Sequence, residues 1–411
     1  MACRRAGGAA WRGADRPGQA ALTPAPPLRL THLRLTDFRS YAAFDGRFAG
    51  RIVAIAGENG VGKTNLLEAI SLLGPGRGLR GARASEIGRR TAAGAQPWAA
   101  WGRFEGPHGG AEIGTGTAGE EGPDARRRWR LDGEPVRSAA DLADHAAAVW
   151  LTPQMDRLFQ EGASGRRRFL DRLVWALEPG HAREVAAHDT AMAGRNRLLA
   201  EGRRDARWLA ALEDSMARHS VAAVAARRAL VSRLNAVLEG GAATGAFPAA
   251  RLDLSDPVAA ALEASPALAV EDWLRGELAA NRGRDAAAGG AALGAHRTDL
   301  AMTHLPKALP AELCSTGEQK ALLVSVVLAH AALIGAARGF APLLLLDEVA
   351  AHLDQARRVA LYAALAGLPA QVFLTGTEAD IFAPLRGTAE GFRATPQGLV
   401  PMPDFRVSNP A

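Results

Sequence analysis

A glycine-rich stretch near the start of the chain combines residue types that bind phosphate. It fits the pattern G-x-x-x-x-G-K-[ST] and lies between an apolar run, RIVAIA, and a helix-like segment, NLLEAISLL. Glycines let backbone N–H groups and a helix N-terminus converge on a phosphate, and the pattern requires this strand–loop–helix context. In such a loop, Lys63 would reach the β- and γ-phosphates, and the Thr64 hydroxyl would bind Mg²⁺. The predicted nucleotide-binding residues are Gly57, Glu58, Asn59, Gly60, Val61, Gly62, Lys63 and Thr64.

An apolar strand pattern, residues 343–346, ends in two carboxylates, Asp347 and Glu348. In a protein with a phosphate-binding loop, the first carboxylate can hold the Mg²⁺ shell, and the second can orient or deprotonate an attacking water. Any strand that ends in charged residues gives a similar pattern, so the loop is what favours the functional interpretation. We predict Asp347 as a metal ligand with Thr64, and Glu348, Asp347 and Lys63 as the catalytic groups.

A third motif, STGEQK at residues 315–320, precedes the apolar segment ALLVSVVLAHAAL. Ser315 or Thr316 followed by Glu318 is good helix-capping chemistry, so one interpretation is an ordinary helix start. The other is half of a nucleotide site whose remainder lies elsewhere. Both interpretations can hold together.

Composition limits the classes of protein to consider. The 411 residues are 48% hydrophobic and 22% charged, which is typical of a globular chain with one large domain and an insertion, or two to three domains. We find no apolar run of about 18 residues and predict a soluble protein without membrane spans. Two cysteines, Cys3 and Cys314, provide neither a disulfide framework nor a metal-ligand pair, and they indicate a reducing cytoplasm.

Periodicity predicts an α/β fold interrupted by a helical insertion. Period-two alternation and short apolar runs predict strands between residues 28 and 57, between 98 and 151, and around 343–346 and 371–377. Helical patterns dominate residues 164–240, without sustained heptads. We therefore divide the chain into a disordered tail (1–27), the first part of a head (28–160), a mainly helical lobe (161–290) and the second part of the head (291–411).

The order of these motifs resembles the ATP-binding-cassette (ABC) ATPases, including the heads of SMC proteins. About 280 residues separate the phosphate-binding loop from the acidic pair, too many for a compact transporter subunit and too few for a long coiled-coil arm. The segments LRLTDFRSY, GENGVGKTNLLEAI, GASGRRRFLD, GAHRTDL and STGEQKALL together resemble the RecF family. The resemblance runs from about Leu28 to near the end of the chain.

The resemblance implies an ABC-type P-loop ATPase head with an inserted second lobe, and a weak DNA-dependent ATPase activity. It implies that ATP and Mg²⁺ drive head-to-tail dimerisation. It also implies that the protein is cytoplasmic and has RecO and RecR as partners. With them it would help to load RecA at single-stranded or gapped DNA during DNA replication, repair and the SOS response. Ser315 and Gly317 match the signature turn that contacts the γ-phosphate held by a second protomer. Asp354 matches the loop that crosses the dimer.

Four further residues match the superfamily less specifically. Gln154 falls where a cassette ATPase has a γ-phosphate-sensing glutamine, although a surface loop explains it equally well. The segment QVFLTGT lacks the switch histidine of many cassette ATPases, and Thr377 is a candidate substitute. Arg39 and Ser40 could touch the nucleotide or could simply end a strand.

Three arginine clusters are candidate DNA-phosphate contacts: Arg166 to Arg168, Arg203–Arg204 and Arg227–Arg228. In this chain nearly all cations are arginine and the formal net charge is +6, so each cluster is more often a solvated face than a binding site. Nothing in the sequence supports sequence-specific readout of DNA. The alternatives are an ATPase subunit of a transporter, which the departure from LSGGQ opposes, and a nucleotide-gated clamp with incidental turnover.

Overall fold

The fold is taken from a computed structural model of the full chain. It describes residues 25–92, 94–107, 109–117, 125–137, 139–202, 205–240 and 247–405. Most of the predicted tail (1–27) and the cluster Arg203–Arg204 lie outside the described residues.

Strands and helices follow the predicted order. The strands are β1 Arg29–Phe38, β2 Tyr41–Arg47, β3 Ile52–Ala56, β4 Arg90–Thr91, β5 Gly94–Ala95, β6 Ala99–Gly106, β7 Gly109–Gly116, β8 Arg128–Leu131, β9 Glu134–Val136, β10 Ala148–Leu151, β11 Ala250–Ser255, β12 Asp299–His304, β13 Leu309–Pro310, β14 Leu343–Leu346, β15 Val372–Gly376, β16 Glu390–Thr395 and β17 Gly398–Pro401. The α-helices are α1 Lys63–Leu72, α2 Ala84–Ile87, α3 Ala163–Leu177, α4 His181–Ala200, α5 Ala206–Glu239, α6 Pro257–Ala264, α7 Ala267–Ala280, α8 Arg282–Ala288, α9 Thr316–Arg338 and α10 Gln355–Gly367.

The core sheet has the order β10-β14-β15-β3-β16-β17, with β17 antiparallel to β16 and the other neighbours parallel. Strands β3, β14 and β15 are buried along their whole length. Their sequences are continuous apolar runs because both faces of the sheet are covered. The carboxyl ends of β3, β10, β14 and β15 meet at one edge of the sheet, so whatever follows each strand lies near the others.

A second, antiparallel sheet stands beside the core sheet, in the order β2-β1-β6-β7-β8-β9. Strand β1 has the alternating sequence RLTHLRLTDF, and a register shift between Leu30 and His32 interrupts its pairing with β6. Leu30, Leu33 and Leu35 lie in the core and Arg34 in solvent, because the register shift changes which residues face inward between Leu30 and Leu33. The strands that we predicted between residues 98 and 151 are β6 to β10.

Helices α3 to α8 form a lobe with a hydrophobic core of its own, built mainly from α4, α5, α6 and α7. A small sheet, β11-β12-β13, joins this lobe to the chain after residue 298. The predicted boundary at residue 290 therefore falls between two paired strands, β11 and β12. The division of the chain into domains stays a prediction.

Helix α9 is an exception to our expectation that no segment is long and apolar enough to span a membrane. Its 23 residues are long and apolar enough by composition, yet 83% of its most apolar window is buried inside the protein. We did not identify this segment from the sequence because Lys320 and Arg338 limit the length of its uncharged run. In this structure α9 is a core helix that packs on α3, α5 and β10.

A buried ion cluster holds the helical lobe together. Arg195 on α4 is fully buried, and its guanidinium pairs with Glu213 at 3.0 Å and Asp285 at 2.9 Å. It also donates to the carbonyl of Leu278 at 2.6 Å. Arg282 on α8, whose side chain is partly exposed, also pairs with Glu213. The cluster thus ties α4 to α5, α7 and α8.

We predict that Arg195→Met destabilises the protein by about 3–5 kcal/mol, because it leaves two buried carboxylates without their central cation. The matched control is Arg218→Met. The Arg218–Asp214 pair is exposed, so its loss should cost less than about 1 kcal/mol. Urea unfolding followed by circular dichroism measures both. Equal midpoints for the two variants would contradict a structural role for the buried cluster.

Candidate nucleotide-binding site

The loop between β3 and α1 has the shape that phosphate binding requires. The N–H of Gly57 donates to the carbonyl of Gly376 on β15 at 3.1 Å, which anchors the loop to the sheet. Gly60 and Gly62 have φ of +83° and +111°, values that favour glycine. A Cβ at Gly62 would lie 2.7 Å from the Tyr41 hydroxyl oxygen, so the β1–β2 turn also excludes a side chain there. Backbone N–H groups of the loop and of the α1 N-terminus are left to bind an anion.

Lys63 is buried and lies across this loop. Its Nζ donates to the carbonyls of Gly57 at 2.7 Å and Glu58 at 3.0 Å, and it lies 3.6 Å from Glu348 Oε1. The ammonium is therefore held against the loop concavity, close to the second residue of the acidic pair. A phosphate in the concavity would replace two neutral carbonyls as its partner.

Thr64 and Asp347 meet although 283 positions separate them in the sequence. The Thr64 hydroxyl lies 2.9 Å from Asp347 Oδ2 and 3.1 Å from Oδ1. Adjacent hydroxyl and carboxylate oxygens are the donor set that Mg²⁺ prefers, so these residues fit a magnesium site. Burial raises the pKa of Asp347, and the nearby Glu348 raises it further, while the Thr375 and Thr64 hydroxyls act in the opposite direction.

Thr375 on β15 holds both acidic residues, and our sequence analysis missed it. Its hydroxyl donates to Asp347 Oδ1 at 2.7 Å and accepts the backbone N–H of Glu348 at 3.0 Å. Thr377, the residue we named instead, is exposed beyond the end of the strand. Both threonines stand in QVFLTGT two positions apart, so strand alternation places them on the same face and could not have distinguished them.

Glu348 points away from Asp347 because its backbone has φ of +51°, a conformation uncommon for a residue with a side chain. Asp347 thereby faces inward to Thr64, while the Glu348 side chain remains 26% exposed on the side of Lys63. The two carboxylates, adjacent in sequence, are thus directed to different positions. One is suited to a metal ion and the other to a water molecule.

Gln154 lies on a 3-10 turn, Pro153–Arg157, that directly follows β10. Because β10 is parallel to β14, this turn is at the same sheet edge as Asp347. Gln154 itself is exposed, and its role stays a prediction. The turn is tied to α9, because the buried Lys320 ammonium pairs with Asp156 at 3.2 Å. Lys320, for which the sequence suggested no role, therefore links α9 to the turn that carries Gln154. This turn, Pro153–Arg157, is called the glutamine turn below.

Arg39 follows β1 in the turn to β2, beside the loop, and is held by Glu68, a buried residue of α1. Two guanidinium nitrogens of Arg39 contact the Glu68 carboxylate at 2.9 and 2.6 Å, and Arg80 contacts it at 2.6 Å. The Ser40 hydroxyl accepts from the Asn65 side chain at 2.9 Å. This turn therefore packs against the start of α1, which is compatible with either of the two roles we considered.

The signature turn is a capped helix start, as one interpretation expected. Ser315 Oγ accepts the N–H of Glu318 at 3.4 Å, and the Glu318 carboxylate accepts the N–H of Ser315 at 3.0 Å. Lys307, and then the Ser315 donors, lower the pKa of Glu318 to about 2, so it is a carboxylate at neutral pH. Ser315 is exposed.

Asp354 caps α10 and lies close to the signature turn. Its carboxylate accepts the N–H of Arg357 at 2.8 Å and lies 3.6 Å from the Arg357 guanidinium. A Cβ placed on Gly317 would be only 2.7 Å from the same guanidinium. The two caps therefore form one exposed surface joined by Arg357. Within the described residues no hydrogen bond or ion pair connects this surface to the phosphate-binding loop.

Most candidate DNA arginines are engaged within the protein. Arg166 pairs with Asp299 at 2.7 Å, and Arg167 donates to the carbonyl of Thr298 at 3.0 Å. Arg227 is buried and bonded to Asp171, which removes it as a DNA contact. Clustering in sequence gave no sign of these internal partners. Arg168 is exposed, and Arg228 lies 3.8 Å from Glu263.

We predict that Asp347→Asn stabilises the ligand-free protein at neutral pH, because it removes a buried charge. The folded-state pKa of Asp347 is raised, so its charge costs stability above that pKa. This cost disappears as the pH falls from the folded pKa to the unfolded value of about 3.9. Thermal unfolding across this pH range, with a chelator present, measures the difference. Asp380→Asn, at a side chain 90% exposed, is the control that should show none. A stability difference that is independent of pH would contradict the assignment.

Comparison with known proteins agrees with these motifs. The family model described as the RecF/RecN/SMC N terminal domain matches residues 29–389. A protein named DNA replication and repair protein RecF from Mesorhizobium japonicum is 50% identical over 361 residues, 88% of this chain and 94% of the relative. One of the same name from Rhizobium etli is 47% identical over 364 residues, 88% and 96% of the two chains.

Solved structures give the same fold. A recombination mediator RecF in complex with ATPrS, from the RecFOR pathway, superposes with a TM-score of 0.79 at 20% identity, over 92% of this chain and 99% of that one. An SMC head domain from Pyrococcus furiosus superposes with a TM-score of 0.50 at 16% identity, over 91% and 96% of the two chains. The α/β ATPase-head fold with an inserted helical lobe is thereby confirmed. On the identity and coverage of its relatives, the chain belongs to the RecF family of DNA replication and repair proteins.

Proposed function

We propose that this protein is an ATP-dependent recombination mediator that acts on single-stranded or gapped DNA. It binds ATP and Mg²⁺, closes with a second copy into a homodimer, and is reset by slow hydrolysis. The observation that carries the proposal is the division of the site. Lys63, Thr64, Asp347 and Glu348 converge at one sheet edge, while Ser315 and Asp354 lie on a separate exposed surface.

The chain's own residues account for binding and for hydrolysis. Loop N–H groups and Lys63 bind the β- and γ-phosphates, and Thr64 and Asp347 hold Mg²⁺, which when bound neutralises phosphate charge. Glu348, with its side chain partly exposed, accepts a proton from the attacking water. Its contact with Lys63 Nζ at 3.6 Å orients it before nucleotide binds.

The signature turn acts on the nucleotide of the partner copy. Its N-terminal N–H groups and the Ser315 hydroxyl are exposed, and they present a helix N-terminus to solvent. A γ-phosphate in the facing protomer supplies the anion that this terminus can bind. ATP therefore joins the two copies, and loss of its γ-phosphate releases them.

Binding to DNA rests on family membership and on charge. The chain carries a formal charge of +6, which suits a phosphate backbone read without sequence preference. The relatives are named DNA replication and repair proteins, and one solved relative is described as acting in the RecFOR pathway. We therefore include RecO and RecR as partners, and cytoplasmic function in DNA repair and the SOS response. The transporter alternative is not favoured.

We predict that ATP converts the wild-type protein from monomer to dimer and increases its affinity for gapped DNA. Lys63→Met should stay monomeric because it loses the phosphate ligand. Ser315→Arg should bind ATP normally but stay monomeric, because a bulky cation fills the facing surface. Light scattering after size exclusion measures mass, and fluorescence anisotropy of labelled gapped DNA measures affinity.

The matched control for this experiment is Ser265→Arg, which adds the same side chain at an exposed serine of the helical lobe. It should dimerise like the wild type. If Ser315→Arg dimerises with ATP, action in trans is wrong. If ATP leaves DNA affinity unchanged, the mediator proposal loses its basis. A salt series would give the number of phosphate contacts from the slope of log K, about 0.7–0.9 per contact.

We predict that Thr375→Val slows ATP hydrolysis by roughly 10- to 100-fold, because a buried hydrogen bond to a charged group contributes about 1.5–3 kcal/mol. ATP affinity should change much less, since the phosphate-binding loop is untouched. Thr377→Val is the matched control and should keep near-normal turnover. Phosphate release and binding of a fluorescent ATP analogue separate the two effects. The reverse pattern would show that Thr377, not Thr375, serves as the switch residue.

A further inference from the structure

A cavity of about 600 Å³ lies between the head and the helical lobe, apart from the nucleotide site. Its walls come from the loop at residues 74–81, from strand β10 and from helices α3 and α4. Its volume is within the range of about 300–1,000 Å³ that is usual for binding sites. Nothing in the proposed ATPase cycle uses this cavity.

One wall of the cavity is the open edge of the core sheet. Four consecutive residues, 147–150, line it, whereas a strand presenting a face would contribute only alternate residues. Ala147 and Leu151 direct their carbonyls to β14, where they accept from Leu343 and Asp347 at 2.9 Å. Alternate residues of a strand bond to the same side, so the N–H and C=O groups of Ala148 and Trp150 face away from β14. The cavity wall therefore carries strand backbone for which the described residues provide no partner.

The side chain of Trp150 adds an unsatisfied donor. The residue is 7% exposed, and its indole N–H finds no acceptor in the part of the chain that the structure describes. His330 donates through Nε2 to the carbonyl of Leu173 at 2.9 Å, so its Nδ1 is an acceptor, and it too lacks a partner among those residues. Buried polar groups are normally paired, so each of these atoms needs an explanation. A bound peptide segment, whose backbone carries donors and acceptors, would explain both atoms.

The charge of the cavity is positive. Arg77 and Arg168 are exposed on its rim, and neither has a carboxylate partner among the described residues. Arg172 lies deeper, over the rings of Trp150 and Phe169 at 5.1 Å, and burial lowers its pKa to about 9.

The other charged groups at the cavity are already paired. Asp171 is bonded to Arg227 and His181, Asp189 to His188, and Arg80 to Glu68. Arg338 donates to the carbonyls of Ala143 and Ala176. Among the described residues no carboxylate pairs with Arg77, Arg168, Arg172 or Arg338, since Arg172 donates to Met155 Sδ at 3.3 Å and Arg338 to neutral carbonyls, so the positive charge favours an anionic occupant.

We propose that an extended, acidic segment of a partner protein docks in this cavity by adding a strand to β10. Its backbone pairs with Ala148 and Trp150, and its carboxylates meet Arg77, Arg168 and Arg172. Strand addition to an open sheet edge is an established mode of peptide recognition, in which backbone bonds give affinity and side-chain pockets give specificity. A four-residue edge of about 13 Å accommodates a segment of about that length.

The test uses the full-length protein and a fluorescein-labelled peptide of alternating Glu and Val, with Gln-Val and Lys-Val peptides for comparison. Fluorescence anisotropy should show binding of the Glu-Val peptide at least tenfold tighter than of the other two. Hydrogen exchange should slow at residues 147–151 when that peptide is bound, because the outward amides of β10 become paired. Neither measurement requires ATP, so failure here is distinguishable from failure of the nucleotide cycle.

Two variants separate the backbone and charge contributions. Ala148→Pro removes an N–H that faces away from β14, a position where an edge strand tolerates proline, and should weaken peptide binding at least tenfold. Arg77→Glu combined with Arg168→Glu should do the same. The control Arg251→Glu reverses an exposed arginine on β11 and should bind like the wild type. Circular dichroism verifies the fold of each.

Several outcomes would overturn the proposal. One is the absence of peptide binding, and another is unchanged binding by both cavity variants. A third is binding without slower exchange at residues 147–151, which would place the peptide elsewhere. If short oligothymidine displaces the peptide and gives the same protection, the cavity is a nucleic-acid site instead.

Discussion

The contact between Thr64 and Asp347 is the constraint on which the site depends. It brings together residues 283 positions apart, and the parallel sheet makes it possible by ending β3, β14 and β15 at one edge. A carboxylate buried there is unfavourable unless it is hydrogen-bonded, and Thr64 and Thr375 supply hydroxyl donors. In the proposed function, the stability lost at Asp347 is the physical counterpart of an oxygen cluster that would accept Mg²⁺. The sheet therefore maintains a buried carboxylate that is unfavourable in the ligand-free protein.

The same sheet edge explains why the two acidic residues differ. Adjacent residues of an extended strand point to opposite faces, but at a strand end the backbone is free to change direction. Glu348 does so with a positive φ, and Thr375 accepts its N–H. Thr375 thus fixes the carboxylate of Asp347 and the backbone of Glu348 with one hydroxyl. A short, buried side chain controls the direction of both acids, although it is itself neutral.

The sequence was sufficient for groups whose chemistry depends on local spacing. The loop from Gly57 to Thr64, the pair Asp347–Glu348 and the cap at Ser315 each follow from residues near one another, and the alternating or apolar runs predicted most strands. Partners that lie far apart in the sequence could not be predicted in this way. Thr375 could not be separated from Thr377, and the pairs Lys320–Asp156 and Arg227–Asp171 join segments that no local pattern relates. The arginine clusters stayed candidates only, because a run of cations is the same in sequence whether its partners are solvent, DNA or buried carboxylates.

Helix α9 connects the parts of the molecule that the proposed nucleotide cycle would coordinate. Its N-terminus carries the signature turn, and one turn later Lys320 is bonded to the glutamine turn after β10. Further along, His330 and Arg338 donate to carbonyls of α3 in the helical lobe. A buried helix of 23 residues moves as a rigid body more readily than it bends, because its side chains are packed on every side. Displacement of the glutamine turn by nucleotide would therefore be accompanied by a shift of the signature turn and of the lobe together. This mechanical link accounts for a lysine at position 320 in a chain that otherwise uses arginine: a compact ammonium fits the buried contact with Asp156 where a guanidinium fork would need additional acceptors.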